Sequence, residues 1–60
     1  MQTKQVDDSE IARVMRTYGG SFVKALGELW LIADFDNRAR IKHTWPEYWQ
    51  KYREFAESIQ

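Results

Sequence analysis

The chain has no cysteine, one histidine and one proline in 60 residues, and no net charge of either sign. Each shortage removes a class of function. Without cysteine there is no disulfide, no thiolate nucleophile and no sulfur-ligated metal centre, which also fits a reducing compartment. A structural zinc site takes about four Cys or His ligands, and His43 alone cannot supply them. The scarcity of nucleophile and base pairings argues against an enzyme, and no metal or cofactor is expected. His43 follows Lys42 at the end of a polar stretch, where a histidine favours the C-terminal end of a helix dipole. Nine Lys and Arg balance nine Asp and Glu, so the net basic face that general nucleic-acid affinity needs is missing. No run of about 18 apolar residues occurs, so no membrane span is expected. The opening MQTKQVDDSE lacks an apolar segment behind a basic start, so no signal peptide is expected there either.

What the chain does have is rings. Aromatic residues make up 15% of it, and they gather in TWPEYWQKYREF, residues 44–55. A domain this small buries only about 60% of its unfolded surface, so large aromatic side chains are an efficient source of core area. Their spacing is helical throughout, and no alternating strand pattern interrupts it. The reading is an all-α fold, a compact bundle of three to four short helices at about 8–18, 21–33, 35–43 and 45–58, joined by tight loops. Residues 1–6 read as a loose lead-in and 7–60 as a single helical domain.

Local signals support each boundary. Asp7 can cap the first helix, with Glu10 completing a capping box. That explains the carboxylates of Asp7, Asp8 and Glu10 better than a cation site does. Gly19-Gly20 ends this helix, with a left-handed glycine expected at its C-terminus. Ser21 is the expected cap of the second helix, and Asp34 of the third. Thr44 and Glu47 form a second capping box with Pro46 in the first turn. Whether the third helix runs on into the fourth is left open.

Helical pitch assigns the faces. In the second helix Phe22, Val23, Ala25, Leu26, Leu29, Trp30, Ile32 and Ala33 cover about half the circumference and are expected to face the core. Leu29 in particular is placed in the core, and Leu31 falls opposite, beside Lys24 and Gly27. In the fourth helix Trp45, Tyr48, Trp49, Tyr52, Phe55, Ala56 and Ile59 form one stripe. Together the stripes offer more apolar side chains than a monomer of this size can enclose, so part of them should form a contact surface. The expected partner-binding residues are Gly27 and Leu31 on the outer side of the second helix and Trp49 at the core margin. Arg38, Arg40 and Lys42 are the expected charged rim. Self-association into a homodimer would cover the surplus.

The stretch EIARVMRTYGGSFVKAL has the outline of a helix-turn-helix, which makes a small nucleic-acid-binding regulator the alternative. Its would-be recognition helix carries only Lys24 and Glu28, too little to read base edges.

The string YGGSFVKAL, then AD followed by Asn37, then RIKHTWPEYWQKY resembles a group of short proteins encoded by bacteriophages and prophages. Those proteins share Y-G-x-S-F-V-x-A-L, A-D-x-x-N and an aromatic-Pro-Glu-Tyr-aromatic run. The matching positions here are Tyr18, Gly19, Ser21, Phe22, Val23, Ala25, Leu26, Ala33, Asp34, Asn37, Trp45, Pro46, Glu47, Tyr48 and Trp49. Phe35 departs from the pattern and should be an exposed ring. The resemblance implies a phage origin and an accessory role in the host-cell cytoplasm, with no catalytic residues to carry over. The function expected is protein–protein interaction, inhibiting or modulating a host or anti-phage defence protein. A structural subunit of a phage complex is a further alternative.

Overall fold

Three of the four helices begin where a local signal starts them. In the computed structural model, which describes residues 6–59, Asp7 is extended and its carboxylate accepts the Glu10 N–H at 2.9 Å. This starts α1 (Asp8–Tyr18). The Asp34 carboxylate accepts the Asn37 N–H at 3.0 Å and starts α3 (Phe35–Thr44). Pro46 opens α4 (Pro46–Ser58) at a position whose N–H would have no helical partner. The bundle is all-α with no strand among the described residues.

Three junctions differ from their sequence reading. Ser21 does not cap α2 (Ser21–Ile32). The cap is Gly20, which has no side chain to offer, and the helix starts on its backbone carbonyl. Thr44 does not cap α4 either. It belongs to the last turn of α3, where its hydroxyl donates to the Arg40 carbonyl at 2.7 Å. Trp45 alone, at φ −127° and ψ 58°, ends α3 and precedes α4, so the two are separate helices. Gly19 is extended, not left-handed. Its small size matters instead. A Cβ there would stand 2.6 Å from both the Met15 carbonyl oxygen and Val23 Cγ1, so only glycine lets α2 turn back this tightly against α1.

The principal packing is α1 on α2, with α4 laid against α1 and α3 touching α2 and α4. The core holds Val6, Ile11, Ala12, Met15, Val23, Leu26, Trp30, Ile41, Trp49 and Ala56. Val6 corrects the proposed lead-in. It is buried, and its carbonyl accepts a hydrogen bond from Arg53 Nη1 at 3.1 Å. Residues 1–5 of that lead-in lie outside the described residues.

Trp49 is a larger correction. It is 1% exposed, at the centre of the core, with its ring centroid 6.0 Å from that of Trp30. It is therefore not a marginal ring available to a partner. Gly27 is buried too, against α1. A Cβ on it would lie 2.5 Å from the Ala12 carbonyl oxygen and 3.0 Å from Met15 Cβ. The two helices cross where small residues meet, and Gly27 faces inward at that crossing.

This crossing sets the rotation of α2. At 100° per residue from Phe22, the buried Val23, Leu26, Gly27 and Trp30 lie between about 40° and 140°. Phe22, Ala25, Leu29 and Ile32 lie between about 280° and 360°, and all four are exposed. Leu29, expected in the core, is 49% exposed and Ile32 is 82% exposed. Leu31, expected outside, is half-buried and packs against the core. Phe35 is exposed, as its departure from the resembled pattern implies, although the apolar positions of the third helix also offer it as an anchor toward the core.

Candidate protein-interaction face

The exposed side of α2 is built by a 3-4-3 spacing. Phe22, Ala25, Leu29 and Ile32 follow one line along a helix of 12 residues, about 18 Å long at 1.5 Å per residue. The line is anchored sideways by α4. The Phe22 ring meets Trp45 edge-on at 5.9 Å between centroids and lies 5.9 Å from Tyr48. Between this line and α3 runs an open groove of about 540 Å³. Leu29, Ile32, Ala33, Ile41 and Trp45 make it apolar, while Asn37, Arg40 and Thr44 supply its polar edge.

The expected charged rim divides. Arg40 is exposed on the groove, and its guanidinium makes no hydrogen bond or ion pair among the described residues. Arg38 is held inside the fold. Its Nε donates to the Trp30 carbonyl at 3.0 Å and its Nη2 to the Leu31 carbonyl at 2.9 Å. Its guanidinium lies 4.3 Å from the Trp30 ring centroid, and the Trp30 indole N–H donates to the Arg38 carbonyl at 3.2 Å. Arg38 thus adds donors to the last turn of α2, where carbonyls run short of helical partners; the Trp30 carbonyl also accepts the Ala33 N–H at 3.2 Å. Lys42 bonds the Asp8 carboxylate at 2.9 Å, and Arg53 approaches the same group at 3.7 Å. Asp8 therefore links α1 to both α3 and α4.

Of the six residues expected to bind a partner, Arg40 alone is exposed on the groove. Gly27 and Trp49 are core, Leu31 packs against the core, and Arg38 and Lys42 are engaged within the chain. The apolar side chains exposed on this side instead are Phe22, Ala25, Leu29 and Ile32, with half-buried Trp45 beside them. Their signal in the sequence was the breadth of the apolar arc on α2, which exceeds what one layer of neighbours can cover.

Other chemistry is sparse. Among the described residues no group of three or more His, Cys, Asp or Glu is arranged to hold a metal ion. No helix of the described residues is long and apolar enough to cross a membrane. His43 is exposed in the last turn of α3. A second aromatic cluster joins Tyr18 to Phe55 edge-on at 5.0 Å and Phe55 to Tyr52 at 6.3 Å.

Fold and face together define a small all-α bundle with an exposed apolar line along α2. No protein-family model, curated protein or solved structure matches the chain.

Proposed function

We propose that the protein is an interaction module, a small accessory protein of phage type that acts by binding another protein and modulating it, with a host or defence protein as the target. The observation that carries this reading is the line Phe22, Ala25, Leu29 and Ile32, exposed along one side of α2 beside an apolar groove. Contiguous apolar surface of this kind marks contact sites on small proteins. Phe22 and Trp45 supply rigid aromatic area, and Arg40 stands free at the groove edge. Aromatic and arginine side chains are the usual anchors of such sites.

The nucleic-acid alternative draws less support. Two members of the basic cluster, Arg38 and Lys42, already bond within the chain. Arg40 and His43 remain, too few to form a phosphate-binding track.

A photo-crosslinking residue placed at Ile32, in chain expressed in bacterial cells, tests the proposal. Adducts with another protein are expected, and they should disappear when Leu29→Glu is added. A crosslinker placed at Glu57, outside the face, should capture none of them. Adducts that survive Leu29→Glu in a folded chain would overturn the assignment of the face. Tight binding to duplex DNA at low salt would overturn the protein-binding reading, because phosphate contacts are strongest there.

A further inference from the structure

We propose that the groove between α2 and α3 takes a helical segment of another protein that carries a carboxylate beside its apolar side chains, with Arg40 and Asn37 holding the carboxylate. This rests on the reading of that face as a contact surface and names the chemistry of what it binds.

The lining sets that chemistry. The groove holds about 540 Å³, within the roughly 300–1,000 Å³ of sites that enclose a ligand or a few side chains. Ile41 is its buried floor, and Leu29 and Ile32 are its exposed wall. Among the described residues Arg40 is the only charged side chain that lines it, and no carboxylate does. Asp36 lies four residues before Arg40 on α3, the spacing at which helical ion pairs form. That pair is not made. Asn37, one turn before Arg40, is exposed, and its side-chain amide makes no hydrogen bond among the described residues. The groove edge thus offers one positive charge and free donors next to apolar surface. A single guanidinium is complementary to a single carboxylate, whose two oxygens fit its fork. A phosphate carries a charge of about −1.5 to −2 and would leave an excess there.

The charges around the groove orient the partner. At 100° per residue from Phe35, Arg40, Asn37 and Ile41 stand at about 140°, 200° and 240° on α3. Asp36 and His43 stand at about 100° and 80°, outside the lining. On α2, Glu28 lies about 40° beyond Ile32 and Lys24 about 40° further, and neither lines the groove. Glu28 would repel a carboxylate placed over α2. The partner's acid therefore belongs over α3 and its apolar side chains over Leu29 and Ile32.

The helical form follows from what the groove lacks. Its polar side chains are Asn37, Arg40 and Thr44, and the Thr44 hydroxyl already donates to the Arg40 carbonyl. An extended segment would leave most of its backbone N–H and C=O groups unpaired over the apolar floor. A helix bonds its own backbone and presents anchors at i, i+3, i+4 and i+7. The line from Phe22 to Ile32, about 15 Å long, accommodates nearly three turns of it.

The test begins with the crosslinker at Ile32, with each adduct mapped by mass spectrometry. The captured segment should carry Asp or Glu within one helical turn of its apolar contact residues. A peptide made to that segment is then titrated against the full chain by fluorescence anisotropy. Arg40→Gln should weaken binding about tenfold, the scale of a charged hydrogen-bonded pair. Replacing the peptide's carboxylate by its amide should do the same. The two changes together should weaken binding little more than either alone, because both remove one pair. Arg40 makes no side-chain bond within the fold, so circular dichroism of Arg40→Gln should match the parent chain.

A mapped segment without Asp or Glu overturns the proposal. So does parental affinity in Arg40→Gln, or losses that simply add in the double change. An adduct that is a second copy of this chain, a small amphiphile, or a segment with a phosphorylated residue in place of the carboxylate also overturns it. If Leu29→Glu abolishes the crosslinks while Arg40→Gln leaves peptide affinity unchanged, the acidic partner fails and the interaction module stands. If the crosslinks survive Leu29→Glu, or no polypeptide is captured at Ile32, both fail.

Discussion

A methyl group at position 27 would stand 2.5 Å from the Ala12 carbonyl oxygen. That oxygen belongs to the backbone of α1 and cannot rotate away. Gly27→Ala should gain about 1 kcal/mol from helix propensity, but the helices must separate to admit the new carbon. Overpacking of this kind costs about 1–3 kcal/mol, and contact with backbone belongs at the upper end. The expected result is a lower melting temperature by thermal denaturation, by several degrees for each kcal/mol lost in a domain this size. Trp49 is the second decisive residue. Its ring is fully enclosed, yet its indole N–H has no partner among the described residues. Trp49→Ala should cost about 3–5 kcal/mol by emptying the centre of the core, enough to unfold much of a domain with few kcal/mol in reserve. The measurement is a urea titration followed by circular dichroism. Gly20 is the converse case. It is extended, and nothing lies within 4 Å of the Cβ it lacks. Gly20→Ser would supply a missing cap and restrict the unfolded chain, so stability should rise by about 0.5–1 kcal/mol in the same titration.

At the scale of elements, the rotation of α2 is the fact from which the surface follows. Leu26 and Leu29 are chemically identical and less than one turn apart, but one is 4% exposed and the other 49%. Leu26→Ala should cost about 2–5 kcal/mol by leaving a cavity, while Leu29→Ala in the monomer should cost under about 1 kcal/mol, in proportion to its smaller buried area. Equal costs in denaturant titrations of dilute protein would refute the rotation. The end of α2 depends on α3 through Arg38. Two charge-assisted bonds to carbonyls and the stacking on Trp30 together suggest a loss of about 2–3 kcal/mol for Arg38→Ala. Arg38→Lys should recover only part of it, since an ammonium lacks the planar fork that reaches two carbonyls. Comparing the two melts separates this clamp from a simple charge effect.

Across the whole molecule, Asp8 draws α3 and α4 toward the start of α1 through Lys42 and Arg53. All three groups are partly exposed, so their pairing contributes at most about 1 kcal/mol. The fold therefore stands on its apolar core, and salt should change its stability little. A bundle of three to four helices and most of their limits were legible in the sequence because caps, glycines and the single proline act on their immediate neighbours, while the break between the third and fourth was decided by the structure at Trp45. Asp7, Asp34 and Pro46 each start a helix from within one turn. Thr44 misled because its motif fits a cap, yet the preceding helix extended far enough to claim its hydroxyl. The candidate site was much less legible. Periodicity showed that α2 is apolar over half its girth, but could not choose which half faces inward. That choice came from the close approach of α1 at Gly27 and Ala12, a contact between residues far apart in the chain. Likewise the basic cluster of Arg38, Arg40 and Lys42 was readable, but Arg38 bonds carbonyls seven and eight residues back and Lys42 a carboxylate 34 residues away. By itself, then, the sequence determined the secondary structure and the excess of apolar surface, since both depend on local backbone chemistry and composition. The tertiary structure decided which apolar side chains are core and which stay exposed, because burial belongs to pairs of helices and is set only where their backbones meet.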